Sequence, residues 1–138
     1  MRRMSDRTFV DSNVWLYLLS ADETKADRAE QYIDGNTVIS VQVLNEVTNV
    51  ARRKLDMSWD DVAEFLGKIR SIGAVEALTV ATHDRARSVA QRYGVSFYDA
   101  SIIAAALIAN CRWLATEDLQ HGMVFEKVLT VVNPFSNA

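Results

Sequence analysis

Residues 7–17, RTFVDSNVWLY, carry an acidic side chain between two apolar runs. The β-branched and aromatic residues 8–10 predict a short buried strand, and the segment SNVWLYLLS at 12–20 predicts the start of a helix. Asp11 lies between these two elements, where the strand ends. In an open parallel sheet, the carboxyl ends of the strands and the N-termini of the following helices share one edge, and ligands bind there.

The composition is that of one globular domain. The chain has 138 residues, of which 49% are hydrophobic and 24% are charged. We therefore expect a single domain over 1–138, with its core at about 8–132 and a short frayed C-terminal tail. The net charge of -3 provides no overall attraction for nucleic acid. A polyanionic substrate would need local basic patches or bound cations.

Several classes of protein are excluded by single features. The lone Cys111 rules out an internal disulfide and a cysteine zinc cluster, and its apolar neighbours predict an inert buried thiol in a reducing cytoplasm. Arg7 and Asp11 interrupt the apolar N-terminal run that imitates a secretion signal, so we do not expect this run to be a signal peptide. The apolar run at 101–109 is shorter than the roughly 20 residues that span a bilayer.

Short β-branched runs alternate with longer helical patterns along the chain. Strands are predicted at 8–10, 37–41, 74–78, 112–116 and 128–132, and helices at 12–20, 25–33, 42–55, 58–72, 82–94 and 98–110. This alternation is typical of an α/β fold with a parallel sheet and helices on both faces.

Four carboxylates occupy the positions that such a sheet brings to one edge. They follow predicted strands or lie early in predicted helices: Asp11, Glu46, Asp99 and Asp118, with Glu117 beside the last. Three of them have a purely structural alternative. Asp11 could be a helix cap, Asp99 a capping-box partner of Ser96, and Asp118 a turn residue before Gly122. Glu46 has none, because it occupies the apolar stripe formed by Val43, Val47 and Val50.

Carboxylates that converge repel one another unless a cation neutralises them. An all-oxygen set without thiolate or histidine suits Mg²⁺ or Mn²⁺ better than zinc or copper. His83 is expected at the surface and His121 in a loop, so neither is expected to bind the metal. No glycine-rich phosphate loop is present, which argues against a nucleoside triphosphatase.

Four segments, in order, resemble the acidic motifs of the PIN domain family. They are FVDSNVWLY at 9–17, VLNEV at 43–47, FYDASIIAAAL at 97–107 and WLATEDLQHG at 113–122. The resemblance extends from Thr8 to about Val132, and the short single domain is similar to the VapC-type toxins of bacterial toxin–antitoxin pairs.

This resemblance implies a three-layer α/β/α domain with a mainly parallel sheet that cleaves RNA with Mg²⁺ or Mn²⁺. It implies that the metal-site and catalytic acids are Asp11, Glu46, Asp99 and Asp118. Asn13 would brace the first motif, Thr116 would hydrogen-bond near the metal, and Glu117 duplicates an acid beside Asp118. The implied partners are RNA, an antitoxin and a second copy of the chain, in the cytoplasm.

Two alternatives to a nuclease stay open. A non-catalytic module of the same fold would act only through partner binding. A phosphatase or receiver domain with an acid cluster expects an aspartate two residues after Asp11, where this chain has Asn13. The basic residues that could hold RNA, or could equally form solvated helix faces, are Arg52, Arg53, Lys54, Arg85, Arg87 and Arg92.

Overall fold

The computed structural model describes residues 6–136 and contains one sheet. Its strands are β1 (Thr8–Val10), β2 (Thr37–Ser40), β3 (Ala74–Glu76), β4 (Trp113–Ala115), β5 (Val124–Phe125) and β6 (Leu129–Val132). They are arranged in the order β3-β2-β1-β4-β6-β5, and every neighbouring pair is parallel except β5 with β6. The predicted mainly parallel sheet is confirmed.

The helices complete a three-layer α/β/α domain. They are α1 (Ser12–Tyr17), α2 (Glu23–Glu30), α3 (Val41–Arg53), α4 (Trp59–Ile72), α5 (Val80–Tyr93) and α6 (Phe97–Ile108). Helices α1 to α4 pack on one another, and α5 packs on α6. Every residue of β1 and β2 is buried, as expected for central parallel strands that are covered on both faces.

The passage from β1 into α1 is held by a buried tryptophan. The Trp15 side chain is fully buried, and its Nε1 donates to the carbonyl oxygen of Val10 at 3.1 Å. This bond satisfies the indole N–H inside the core and ties the helix to the end of the strand that precedes it. The predicted strand–Asp11–helix arrangement is therefore correct.

The structure differs from the sequence predictions in several element bounds and in one added strand. Helix α1 ends at Tyr17, α2 at Glu30 and β3 at Glu76, each earlier than predicted. Helix α5 begins at Val80 instead of residue 82, because Thr79 and Thr82 form a capping box. Strand β5 was not predicted; it joins β6 through a turn in which Glu126 and Lys127 have φ values of 50° and 63°. Turns with two positive φ values usually carry Asn-Gly, so Glu-Lys contains no recognisable signal.

The expectation of a frayed C-terminal tail is wrong for residues 133–136. Pro134 is buried, and the rings of Phe135 and Tyr17 have centroids 4.3 Å apart. Arg28 also donates to the Phe135 carbonyl oxygen. Residues 137 and 138 lie outside the described part of the chain. Within the described residues, none of the helices has the length and apolar character needed to cross a bilayer.

Candidate functional site

The candidate site lies where β1 and β4 end side by side. Val10 is paired with Ala115, and the Asp11 N–H donates to the Ala115 carbonyl oxygen at 3.0 Å. The strand order reverses here, because β1 continues to β2 on one side while β4 enters on the other. Such a switch point is the usual ligand-binding position of an open parallel sheet.

Asp11 is buried, with 2% of its surface exposed. One carboxylate oxygen, Oδ1, accepts the Ser12 backbone N–H at 2.7 Å, so Asp11 caps α1. The other, Oδ2, accepts the Thr116 hydroxyl at 2.8 Å. The capping alternative is therefore correct, and it leaves one oxygen directed toward β4.

The Asn13 side chain bridges the segments that follow β1 and β4. Its Nδ2 lies 3.4 Å from Asp11 Oδ2, 3.2 Å from Thr116 Oγ1 and 3.0 Å from Asp118 Oδ2. Its Oδ1 accepts the Glu117 backbone N–H at 3.3 Å. Asn13 thus places its polarised amide between two carboxylates that are 107 positions apart in the chain.

The adjacent acids Glu117 and Asp118 are directed to different partners. Asp118 shares the Asn13 amide with Asp11, and its backbone N–H donates to Thr116 Oγ1 at 3.1 Å. Glu117 instead accepts the Tyr17 hydroxyl at 2.9 Å. Of the two neighbours, Asp118 is the one that faces Asp11.

Burial and repulsion between carboxylates raise the pKa values of two acids, Asp11 and Asp99. Burial raises the pKa of Asp11 to about 6, although bonds from Thr116 and Ser12 oppose the shift; the charges of Asp118 and Asp99 add to it. Burial also raises the pKa of Asp99, against a hydrogen bond from Ser96, and the Asp118 charge again contributes. The charges of Asp118 and Asp99 therefore contribute to the electrostatics at Asp11, although less than its burial does.

Glu46 lies on α3 at the margin of this group. Its side chain is half-buried beside Val47, and its charge acts on Tyr98. The charge of Asp11 also acts on Tyr98, so its phenol is close enough to both acids to interact with them. Tyr98 was not among the predicted site residues, and its position directly before Asp99 is the one local signal for it.

The side-chain chemistry fits a hard divalent cation. Asp11 is a buried carboxylate without a cationic partner among residues 6–136, and its neighbours supply only oxygen atoms and one amide. In the same range, no three Asp, Glu, His or Cys side chains are grouped closely enough to hold one ion together. A cation would therefore have to draw these acids together, and the Asn13 amide would have to yield its place between two of them.

The basic residues are partly committed to other contacts. Arg85 pairs with Glu126 at 2.8 Å, and the Arg52 guanidinium stacks on the Trp59 ring at 4.6 Å. The two histidines make contacts with other residues. His83 is exposed against Phe97, and His121 Nδ1 accepts the Asn133 N–H at 3.0 Å.

A comparison with protein-family models matches residues 8–126 to the PIN domain. No significant match is found among curated proteins. The sequence match therefore rests on the family model, which spans most of the chain and all four acids.

Solved structures with this fold include toxin–antitoxin proteins. A toxin–antitoxin complex from Klebsiella pneumoniae has a TM-score of 0.70 at 19% identity, covering 93% of this chain and 98% of that chain. Mycobacterium tuberculosis VapC20, a sarcin–ricin-loop-cleaving toxin, has a TM-score of 0.63 at 22% identity, covering 78% and 86%. VapBC2 from Rickettsia felis, bound to promoter DNA, has a TM-score of 0.64 at 16% identity, covering 91% and 98%. At these identities the likeness shows a shared fold.

Proposed function

Because the chain belongs to the PIN domain family, we propose that it is a Mg²⁺- or Mn²⁺-dependent endoribonuclease and the toxin of a toxin–antitoxin pair. The observation that carries this proposal is the buried Asp11 carboxylate, joined through Asn13 and Thr116 to Asp118 at the switch point of the sheet. Mere helix capping would require neither the burial nor the second acid.

The roles of the residues follow from their positions. Asp11 and Asp118 would hold the metal, and Asp99 and Glu46 would complete its environment from α6 and α3. The bound cation would neutralise a phosphate oxygen and supply a water of lowered pKa. Glu46 or Asp99, when it is not binding metal, would orient or deprotonate that water. Thr116 would keep Asp11 in place through its hydroxyl, and Asn13 would brace the segment after β4 through the bond that its Oδ1 accepts from the Glu117 N–H.

The proposed partner is a cognate antitoxin. Beside Asn13 and Glu117 lies a cavity of about 300 Å³, whose walls include Leu16, Leu19 and Leu55. Leu19 and Leu55 are 40% and 47% exposed, so apolar surface adjoins the acids. An antitoxin segment that covered it would also block the site. We further propose a homodimer that acts in the cytoplasm.

The test is cleavage of cellular RNA by purified protein with Mg²⁺, Mn²⁺ or a chelator. We expect metal-dependent cleavage by the wild type and a loss of about 100-fold or more in Asp11→Asn and Asp118→Asn, because each removes a charge that would hold the cation. Glu117→Gln is the matched control and should keep most of the rate, since Glu117 is held by Tyr17. Equal rates in wild type and Asp11→Asn would refute the proposal.

A catalytically silent binding module is the second candidate. It is favoured by the lack of a preassembled group of three metal-binding side chains among residues 6–136. That module predicts no RNA cleavage and no rise in melting temperature with millimolar Mg²⁺ or Mn²⁺. A nuclease predicts both, because a ligand that binds only the folded state must raise its stability.

A further inference from the structure

A second cavity lies beside the acids, where the N-terminal ends of α3, α5 and α6 meet. Its volume is about 460 Å³, and Gln42, Thr79, His83, Phe97 and Tyr98 are among the residues that line it. No Asp, Glu, Lys or Arg lines it. The adjoining helix ends are capped by hydroxyl side chains of Ser40, Thr79 and Ser96. The cavity therefore suits an uncharged, hydrogen-bonding ligand better than a phosphate.

Aromatic rings form part of its wall and remain open to solvent. Phe97 is 46% exposed and Tyr98 is 39% exposed, and the His83 ring lies 5.4 Å from that of Phe97. Exposed rings provide faces on which a planar heterocycle can stack. The Gln42 amide offers a donor and an acceptor, which is what recognition of a base edge requires.

Tyr98 connects this cavity to the acids. Its phenol interacts with the side chains of Ser12 and Gln42, that is, with the residue after Asp11 and with a cavity wall. The phenol O–H of Tyr98 can donate a hydrogen bond. Tyr98 thus belongs to the cavity wall and also interacts with the charge of Asp11.

We propose that this cavity, the base subsite, binds one unpaired nucleobase next to the phosphate that is cleaved, an inference that rests on the proposed ribonuclease function. The base stacks on Phe97, and Gln42 and Tyr98 contact its edge. Binding there would require the base to be unstacked from its neighbours, so single-stranded RNA is the substrate class. The base subsite would set the nucleotide preference at the cut.

The test compares cleavage of a randomised single-stranded RNA library by wild type, Phe97→Leu and Phe97→Tyr. Phe97→Leu keeps an apolar side chain but removes the ring, so we expect kcat/KM to fall about 5- to 50-fold and the preference beside the cut to weaken. Phe97→Tyr keeps the ring and should therefore keep both the kcat/KM and the nucleotide preference of the wild type. Val128→Ala removes apolar surface from a residue that is 58% exposed and does not line this cavity, and should change neither.

A binding measurement in chelator separates this inference from the nuclease proposal. The fluorescence of oligoribonucleotides that carry 2-aminopurine at successive positions is measured. Wild type and Phe97→Tyr should quench the fluorescence at one position of 2-aminopurine. Phe97→Leu, once shown to have the same melting temperature, should not quench it. Quenching without any cleavage would uphold the base subsite and refute the nuclease. If Phe97→Leu cleaves RNA normally, keeps the nucleotide preference and still quenches the fluorescence, the base subsite is refuted while the nuclease proposal stands. The base subsite is also overturned if a partner protein, and not RNA, protects Phe97 from solvent.

Discussion

Asp11 combines a structural bond with an unfavourable charge. One oxygen caps α1, which stabilises the helix start, while burial makes the ionised carboxylate costly in the absence of a cation. The Asn13 amide and the Thr116 hydroxyl offset part of this cost. The residue is thus tolerated by the fold rather than favoured by it, which is typical of side chains retained for function.

The pH dependence of stability should reveal this cost. The folded-state pKa of Asp11, about 6, lies above the ordinary aspartate value of 3.8, so ionisation destabilises the fold as pH rises through this interval. The full difference corresponds to roughly 3 kcal/mol at higher pH. In chelator, we expect Asp11→Asn to raise the free energy of unfolding by about 1–3 kcal/mol at pH 8, and much less at pH 4, as measured by urea titration.

The control is a second helix cap of the same type. Asp22 caps the exposed α2 by accepting the Lys25 N–H. Asp22→Asn exchanges the same atoms at an exposed cap and should produce no gain at pH 8. A similar gain in both variants would attribute the effect to capping and not to burial of Asp11.

At the scale of elements, the C-terminal segment and α1 support one another. Phe135 packs against Tyr17, and Tyr17 in turn holds Glu117 away from Asp118. Sequence patterns could not show this, because 133–136 has no periodicity and contacts a helix more than 100 positions earlier. In contrast, the C-terminal end of α5 was predictable, since Gly94 adopts the left-handed conformation with φ 69°.

Removing the Phe135 ring tests this support. Phe135→Ala should lower the free energy of unfolding by about 1–2 kcal/mol, because it exposes the face of Tyr17 and removes buried apolar area. Tyr17→Phe keeps the ring contact and removes only an exposed hydrogen bond, so its effect should be about 0.5 kcal/mol. Urea titration of both variants measures the two changes in the free energy of unfolding. A larger effect of Tyr17→Phe would assign the stability to the Glu117 bond.

At the scale of the whole molecule, Cys111 reports on opening of the domain. It is 3% exposed between α6 and β4, and burial raises the pKa of its thiol to about 12. The expectation of a buried cysteine is therefore confirmed, and its inertness stays a prediction. Alkylation at pH 8 should be about 100-fold slower or more in the folded protein than in urea, because the thiolate forms only after opening.

The dependence on urea identifies the opening that is involved. If the alkylation rate rises with urea in parallel with global unfolding, Cys111 reacts through the unfolded state. A rate independent of low urea would instead indicate local opening at the cavity that adjoins Arg7 and Arg112. Cys111→Ser, which leaves no thiol, sets the background of labelling.

The alternation of strands and helices apart from β5, the mainly parallel sheet and the placement of Asp11 and Asp118 after strand ends could be read from the chain alone. Side-chain periodicity, turn residues and caps are local properties, so they are present in short segments before any packing occurs. They correctly placed Asp11 at the end of β1 and Asp118 after β4.

The partners of those acids were decided by the tertiary structure. Asn13 reaches Asp118, Tyr17 takes Glu117, and Tyr98 meets Asp11 only because β4 is inserted beside β1 and α6 begins near both. Such contacts join residues about 80 to 105 positions apart, and no local pattern encodes which of two adjacent acids turns inward. Strand order and burial make that choice, because they determine which side chains lose water and need one another.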